Sequence, residues 1–232
     1  MLDNIKKLCN SSMTAFLIGA SLFFSISCAG AKESSAPGAE ASNVPATKEI
    51  ELKFSGNNAL SFVYEQLAMG PRTSKDAKQT ALRDRLSSKL KALGFTVEIQ
   101  PLKGALGMGA GVDFYNVIAT MPCAQNQNLR IFGAHYDTIP IAPNDPDASK
   151  RMTPIAGAND GASGVAVLME LARVVAERKS ELKHSVKLIF FDGEDFYTGT
   201  DNMFYGSRHY ASSISAEEKS KIEYFILADM VG

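Results

Sequence analysis

The chain has 232 residues, and 45% of them are hydrophobic, which is enough for one sizeable buried core. Its 24 basic and 25 acidic residues are interspersed and give a net charge of −1 at neutral pH. Such a balanced charge does not indicate the basic surface that nucleic-acid-binding proteins need, so we expect no nucleic-acid partner.

The amino-terminal segment has the layout of an export signal. Lys6 and Lys7 precede an uncharged, apolar run over residues 13–26. The run leads into small residues and Cys28, similar to the lipobox of bacterial lipoproteins. We therefore expect residues 1–28 to be a signal peptide, and the mature protein to be a membrane-anchored lipoprotein facing the periplasm or the cell exterior. An uncleaved anchor or a conventionally cleaved signal is the alternative.

Residues 29–49 are rich in Ala, Ser, Pro, Gly, Glu and Lys, and this composition predicts a flexible linker. A globular domain is expected over residues 50–232. If Cys9 is removed with the signal and Cys28 is lipidated, Cys123 is the last cysteine, so we expect no disulfide.

Two helices and a strand are predicted at the start of the domain. Apolar residues at helical spacing predict a helix from about Asn57 until Gly70 and Pro71 stop it. A second stripe predicts another helix that ends at Gly94, and residues 95–99 alternate like a strand. The stripe residues are Leu60, Val63, Tyr64 and Leu67 in the first helix and Ala81, Leu82, Leu86, Leu90 and Leu93 in the second.

Two further strands are predicted over residues 113–120 and 129–134, before a long loop over residues 138–156. Such a loop is uncommon in a compact domain unless it shapes a site. The glycines between Gly104 and Gly111 predict a hairpin or a mobile loop. A phosphate-binding loop is rejected because neither its lysine nor a helix follows them.

The clearest helix follows Gly157 and opens near Asp160. An acidic residue at this place is a normal helix cap, which is the alternative to a functional role for Asp160. The spacing predicts a buried face and a charged face in contact with water. The buried residues are Val165, Leu168, Met169, Ala172 and Val175, and the water-facing residues are Glu170, Arg173, Glu177 and Arg178.

Residues 186–191 form a short run of aromatic and branched residues that predicts a strand buried on both faces. A helix over residues 205–212 and another buried strand over residues 222–228 follow. Strands alternating with helices predict an α/β fold, a three-layer α/β/α sandwich with a central mixed, largely parallel sheet.

Polar side chains follow three of the predicted strands where each one ends. His135, then the pair Glu194 and Asp195, and finally Asp229 occupy these positions, and Asp160 stands at a helix start. Because the carboxyl ends of parallel strands meet at one edge of a sheet, we expect these side chains to converge. Histidine and carboxylates are ligands that zinc accepts, so the sequence predicts a zinc site at this edge. A solvated acidic turn is the alternative for the acidic pair.

Asp137 lies two residues after His135, where it is placed to orient the imidazole. The chain contains no His-Glu-x-x-His sequence, which excludes the common zinc-protease helix. The segment around Ser163 lacks the last glycine of the serine-hydrolase elbow.

Four motifs occur in order along the chain. They are Gly-Ala-His135-Tyr-Asp137-Thr, Gly-Ala-Asn-Asp160-Gly-Ala-Ser-Gly, Phe-Asp-Gly-Glu194-Asp195 and Ala-Asp229-Met-Val-Gly. Together they resemble metallopeptidase family twenty-eight, the zinc aminopeptidases with which glutaminyl cyclases share a fold. The resemblance covers about residues 57–232.

The resemblance implies a role for each of these positions. Asp160 is expected to bridge two zinc ions, with His135 and Asp229 completing one metal site and Asp195 binding the other metal. Glu194 is expected to be the general base that takes a proton from the zinc-activated water. Asp137 is expected to be the second catalytic-site residue.

The chain departs from the family pattern in two places. The family usually has Glu-Glu where this chain has Glu194-Asp195, and the shorter Asp195 reaches less far. The family's last zinc ligand is a histidine well downstream of the Asp229 motif, whereas His184 and His209 both precede that motif. We therefore expect the chain to be a fragment that lacks the C-terminal part of the catalytic domain, or a damaged copy.

The resemblance implies a zinc-dependent exopeptidase of the aminopeptidase type, acting on peptides with one or two zinc ions. The alternative is a glutaminyl-peptide cyclotransferase with a single zinc, because residues 196–205 lengthen the loop after the acidic pair and the segment around His209 resembles cyclases. The tryptophan that cyclases place in this loop is missing. A non-catalytic, truncated binding domain is a further alternative.

Overall fold

A computed structural model describes residues 53–74, 76–102, 113–196 and 203–232. The predicted signal peptide, the predicted linker and the glycine-rich stretch between Gly104 and Gly111 lie outside the described residues. Within these ranges, no helix combines the length and the apolar character that crossing a membrane requires.

Three helices pack on one face of the sheet: α1 (Gly56–Met69), α2 (Ala77–Ala92) and α3 (Gly164–Glu177). The side chain of Ser55 caps α1 and that of Asp76 caps α2, each by accepting a hydrogen bond from a first-turn amide. Both helices end where glycine follows, as the sequence predicts. The helix α4 (Tyr205–Ser213) packs on the opposite face, and a short helix α5 (Ala216–Lys221), which the sequence did not predict, leads into the last strand.

Five strands form one mixed sheet: β1 (Thr96–Pro101), β2 (Tyr115–Met121), β3 (Leu129–His135), β4 (Ser185–Phe191) and β5 (Ile222–Leu227). Their order is β1-β2-β4-β3-β5. The pairings β1–β2 and β2–β4 are antiparallel, whereas β4–β3 and β3–β5 are parallel. With helices on both faces, this is the expected three-layer α/β/α arrangement.

The strand β4 lies at the centre of the sheet, and all seven of its residues are buried. Alternate residues contribute to the two cores: Leu188 and Phe190 pack toward α1, α2 and α3, while Ile189 and Phe191 pack toward Tyr210 of α4. This confirms the prediction of a strand buried on both faces.

The strand β5 was expected to be buried, and that prediction is wrong. Five of its six residues are exposed, and Ile226 and Leu227 each keep 50% of their surface in contact with solvent. Because β5 is the last strand in the order, no described strand lies beyond it. Its apolar composition therefore did not indicate its burial.

Glu170 was expected to face water, but only 4% of it is exposed. Its carboxylate accepts hydrogen bonds from the Ser55 amide at 2.8 Å and from the Arg173 guanidinium. A charged residue on α3 is therefore buried with partners, because the chain entering α1 crosses over it.

Candidate metal centre

The parallel strands β3, β4 and β5 end at the same edge of the sheet. His135 is the last residue of β3, the pair Glu194 and Asp195 follows β4, and Asp229 follows β5. The topology therefore delivers all three groups to one edge, as the sequence predicts.

His135, Asp160 and Asp229 form a group whose possible ligand atoms all lie within 4.8 Å of one another. The imidazole Nε2 of His135 is 3.0 Å from Asp160 Oδ1 and 3.5 Å from Asp229 Oδ1. Two carboxylates thus face one ring nitrogen, which is a donor set that suits zinc.

The state of the His135 side chain supports a cation at this position. Only 2% of His135 is exposed, and neither ring nitrogen has a hydrogen bond of good geometry. Burial lowers the pKa of His135, but the neighbouring Asp137 and Asp160 outweigh this effect and raise the pKa to about 11. The surroundings therefore favour a positive charge, which a metal ion supplies once it displaces the proton.

Asp137 is fully buried, and its carboxylate connects two parts of the site. Its Oδ1 lies 3.5 Å from His135 Nδ1, which is too long for a strong hydrogen bond. Its oxygens also accept hydrogen bonds from the backbone amides of Glu194 at 3.2 Å and Asp195 at 2.9 Å. Asp137 therefore lies where the sequence expects an orienting partner, and it also fixes the acidic pair relative to β3.

Glu194 and Asp195 are both nearly buried, with 8% and 7% exposure. Burial raises the pKa of Glu194 to about 7, and the Asp137, Asp229 and Asp160 carboxylates add to the effect, whereas His135 opposes it. Burial and then the charge of Asp160 raise the pKa of Asp195 to about 7. Two carboxyl groups that titrate near neutral pH thus lie beside the His135 group.

Asp195 lies outside the three-residue group but interacts with Asp160, since the two carboxyl groups shift each other's pKa, lowering that of Asp160 and raising that of Asp195. The same Asp160 side chain interacts with His135, which holds the pKa of Asp160 below its ordinary value. Asp160 therefore contacts both the histidine side and the Asp195 side of the site.

Asp160 does not cap α3. Gly161, which follows it, also has non-helical backbone, and α3 begins only at Gly164, with Ser163 directly before it. The turn that carries Asp160 depends on left-handed backbone at Gly157 and Gly161, with φ +63° and +91°. The alternative explanation of Asp160 as a helix cap is therefore wrong.

Asp192 is the third carboxylate of residues 192–195, which we call the acidic segment, and its partners belong to the framework of the fold. It accepts hydrogen bonds from the Tyr115 amide at 2.8 Å, the Tyr136 hydroxyl at 3.0 Å and the Gln79 side chain. Its complete burial raises its pKa well above the ordinary value. Asp192 fixes the end of β4 against β2 and α2, a role that its sequence position did not indicate.

The remaining histidines lie elsewhere. His184 precedes β4 at the end opposite to the site, where its Nδ1 is 3.0 Å from Glu223 Oε1. His209 lies within α4 and is half-buried. Neither histidine belongs to the group formed by His135, Asp160 and Asp229.

After the acidic pair, the chain returns along the end of β4. The amides of Phe204, Tyr205 and Gly206 donate to the carbonyls of Glu194, Gly193 and Asp192, at 3.2, 3.0 and 2.9 Å. The start of α4 is therefore tied to the backbone of the acidic segment.

The sequence model of Peptidase family M28 matches residues 116–232, just over half of the chain. A solved Zn-dependent exopeptidase from Parabacteroides distasonis superposes with a TM-score of 0.69 at 33% identity, over 77% of this chain and 62% of that chain. A solved glutaminyl cyclase from Porphyromonas gingivalis gives a TM-score of 0.70 at 32% identity, over 77% and 62%. The glutaminyl-peptide cyclotransferase of Drosophila melanogaster is 29% identical over 170 residues, which are 70% of this chain and 45% of the fly protein.

The chain thus spans less than half of the length of this curated relative and under two thirds of each of the two solved structures. The matched region runs from the start of β2 and contains the four sequence motifs together with the residues of the metal centre. Family match, fold and site residues agree, and the chain belongs to Peptidase family M28.

Proposed function

We propose that the chain carries the metal centre of a zinc-dependent enzyme that acts at the amino end of peptides and hydrolyses the first peptide bond, as an aminopeptidase does. The observation that carries this proposal is the position of Asp160, which interacts with His135 and is also within reach of Asp195. A carboxylate placed in this way is suited to bridge two metal ions.

In this proposal, His135, Asp160 and Asp229 would hold one zinc ion, and Asp195 with Asp160 would take part in holding a second. Zinc, when bound, supplies a Lewis acid that polarises a carbonyl group and lowers the pKa of water to roughly 7. The buried Asp137 keeps the acidic pair in register with His135 through its two backbone hydrogen bonds.

Glu194 is proposed to accept the proton of the attacking water and to deliver it to the leaving amine. In the metal-free chain, burial raises the pKa of Glu194 to about 7. A carboxyl group with a raised pKa is suited to act as a base and then as an acid near neutral pH.

Cyclisation of an amino-terminal glutamine is the second candidate. The similarity to a solved glutaminyl cyclase and to a glutaminyl-peptide cyclotransferase favours it. The amides of Phe204, Tyr205 and Gly206 donate to the carbonyls of residues 192–194, so the described end of the loop after Asp195 lies beside the site. In this reaction Glu194 would transfer a proton from the substrate amine to the departing ammonia.

The test compares the wild type with Glu194→Gln and with the control Glu217→Gln, which alters an exposed carboxylate on α5. Zinc content, hydrolysis of aminoacyl nitroanilides and ammonia release from glutaminyl peptides are measured on each. We expect Glu194→Gln to keep its zinc and to lose turnover by roughly 100- to 10,000-fold, because it cannot accept a proton. The control should behave like the wild type.

The same measurements separate the candidates. About two zinc ions per chain with nitroanilide hydrolysis support the aminopeptidase, whereas one zinc ion with ammonia release supports the cyclase. Undiminished turnover of Glu194→Gln would refute its role as the base. A wild type without zinc and without either activity would leave the non-catalytic binding domain as the explanation.

A further inference from the structure

Arg72 is a fully buried arginine in the segment between α1 and α2, and the sequence pattern predicted no role for it. Its guanidinium donates to four backbone carbonyl oxygens. Nη1 donates to Ala156 at 2.9 Å and to Gly70 at 3.4 Å, Nη2 to Gly157 at 2.9 Å, and Nε to Tyr136 at 3.3 Å. A planar fork of donors is thus used to join three separate segments.

The backbone of Arg72 is fixed as well. Its amide donates to the Thr138 hydroxyl at 2.9 Å, and its carbonyl accepts from the Thr138 amide at 3.2 Å. This pair of hydrogen bonds joins Arg72 to the residue directly after Asp137. The guanidinium is therefore held in place from the β3 side of the site.

The carbonyls that Arg72 binds belong to the neighbours of the metal centre. Tyr136 directly follows His135, and Gly157 comes three residues before Asp160. A Cβ atom added at Gly157 would lie 3.0 Å from Nη2, and one added at Gly161 would lie 3.4 Å from it. The turn that presents Asp160 is thus wrapped closely around the guanidinium.

Arg72 also places a positive charge near the acidic residues of the site. Burial lowers its pKa to about 10, while the charges of Asp137 and Asp160 oppose this change, so the side chain is protonated at neutral pH. The guanidinium donates the hydrogen bonds described above to carbonyl groups. Its positive charge therefore offsets the repulsion among the nearby carboxylates through space.

We propose that Arg72 is a positioning residue of the metal centre, whose guanidinium fork holds the turn at Ala156 and Gly157 so that Asp160 faces His135, and that zinc affinity depends on it. The proposal rests on the proposed zinc site. A partner that orients a metal ligand in this way typically changes metal affinity by about 10- to 100-fold when it is removed.

The experiment uses Arg72→Met, which removes the charge and the donors, and Arg72→Lys, which keeps the charge but loses the fork. Arg85→Met is the control, because Arg85 forms an exposed ion pair with Glu65. Zinc affinity is measured by competition with a chelator, coordination by the visible spectrum of the cobalt(II)-substituted chain, and folding by thermal denaturation. The spectrum reports ligand geometry, which a merely structural role of Arg72 would leave unchanged.

We expect Arg72→Met to bind zinc about 10- to 100-fold more weakly with an altered cobalt spectrum, Arg72→Lys to lie between it and the wild type, and the control to match the wild type. Folded Arg72→Met with the affinity and spectrum of the wild type would overturn the proposal, even if its thermal stability were lower. If Arg72→Met does not fold, Arg72→Lys decides, and unchanged affinity and spectrum in that variant would overturn the proposal. If the wild type itself binds no zinc, the proposed function fails and this inference fails with it.

Discussion

Substitution of Gly164 by alanine should damage the metal centre although position 164 has ordinary helical backbone. Gly164 is the first residue of α3, where alanine is favoured over glycine by at most about 1 kcal/mol. The added methyl group, however, would overlap the Ala228 carbonyl oxygen and lie 3.0 Å from its carbonyl carbon and 3.1 Å from Ala134 Cβ. Because two of these three atoms belong to backbone, no side-chain rotation relieves the contact.

The magnitude follows from the two opposing effects. Overpacking of a buried contact typically costs about 1–3 kcal/mol, and the overlap with the Ala228 backbone places this case at the upper end. The gain in helix propensity offsets only part of it, so we expect a net loss of about 1–2 kcal/mol, or a fall in Tm of roughly 2–8 °C. Asp229 follows Ala228 directly, and its displacement from His135 should weaken zinc binding as well.

The assay measures Tm and zinc affinity of Gly164→Ala beside the control Gly56→Ala. Gly56 is also the first residue of its helix, and an added Cβ there meets no atom within 4 Å. The control should therefore be neutral or slightly stabilising, with unchanged zinc affinity. If Gly164→Ala matches the wild type in both Tm and zinc affinity, then α3 does not position the Asp229 segment by close contact.

Two further predictions concern the carboxylates. Asp160→Ala should lose bound zinc on dialysis, whereas Asp147→Ala, which alters an exposed loop carboxylate, should retain it; a fully metallated and active Asp160→Ala would contradict the assigned site. In the metal-free chain, the raised pKa of Glu194 means that folding takes up a proton between about pH 4.5 and pH 7. As the pH rises through this range, the free energy of unfolding of the wild type should therefore fall relative to that of Glu194→Gln, by on the order of 1–3 kcal/mol. Urea titrations of both proteins at several pH values measure this difference, and a difference that does not change with pH would exclude the pKa shift.

The sequence predicted the carboxyl edge of the sheet because strand ends carry a local signal. Runs of apolar residues stop abruptly at His135, at the acidic residues after Phe191 and at Asp229, and parallel pairing brings such ends together without knowledge of side-chain contacts. The same reasoning failed for β5, because apolar composition does not reveal whether a strand has neighbours on both sides. Burial of a strand depends on the sheet order, which one sequence segment does not contain.

The parts of the site that were not predicted depend on contacts between distant segments. Arg72 stands in an unremarkable loop of the sequence, and its four carbonyl partners become visible only when α1, β3 and the turn at Gly157 are assembled. In the sequence, Asp192 is one member of an acidic turn, yet its hydrogen-bond partners come from α2, from β2 and from Tyr136, which directly follows β3. The sequence therefore did not show which charged residues lie at the metal centre and which ones hold the fold together.

Glycine links the two helical layers to the carboxyl edge of the sheet. On one face of the sheet, Gly164 lets α3 contact the backbone after β5. On the other face, Gly206 lets α4 contact the backbone after β4, where an added Cβ would lie 2.5 Å from the Asp192 carbonyl oxygen. Each contact fixes the segment that carries a predicted ligand or base, Asp229 in the first case and the Glu194 pair in the second. The helices therefore approach the site through backbone contacts, and a side chain at either glycine should displace a segment that carries a site residue.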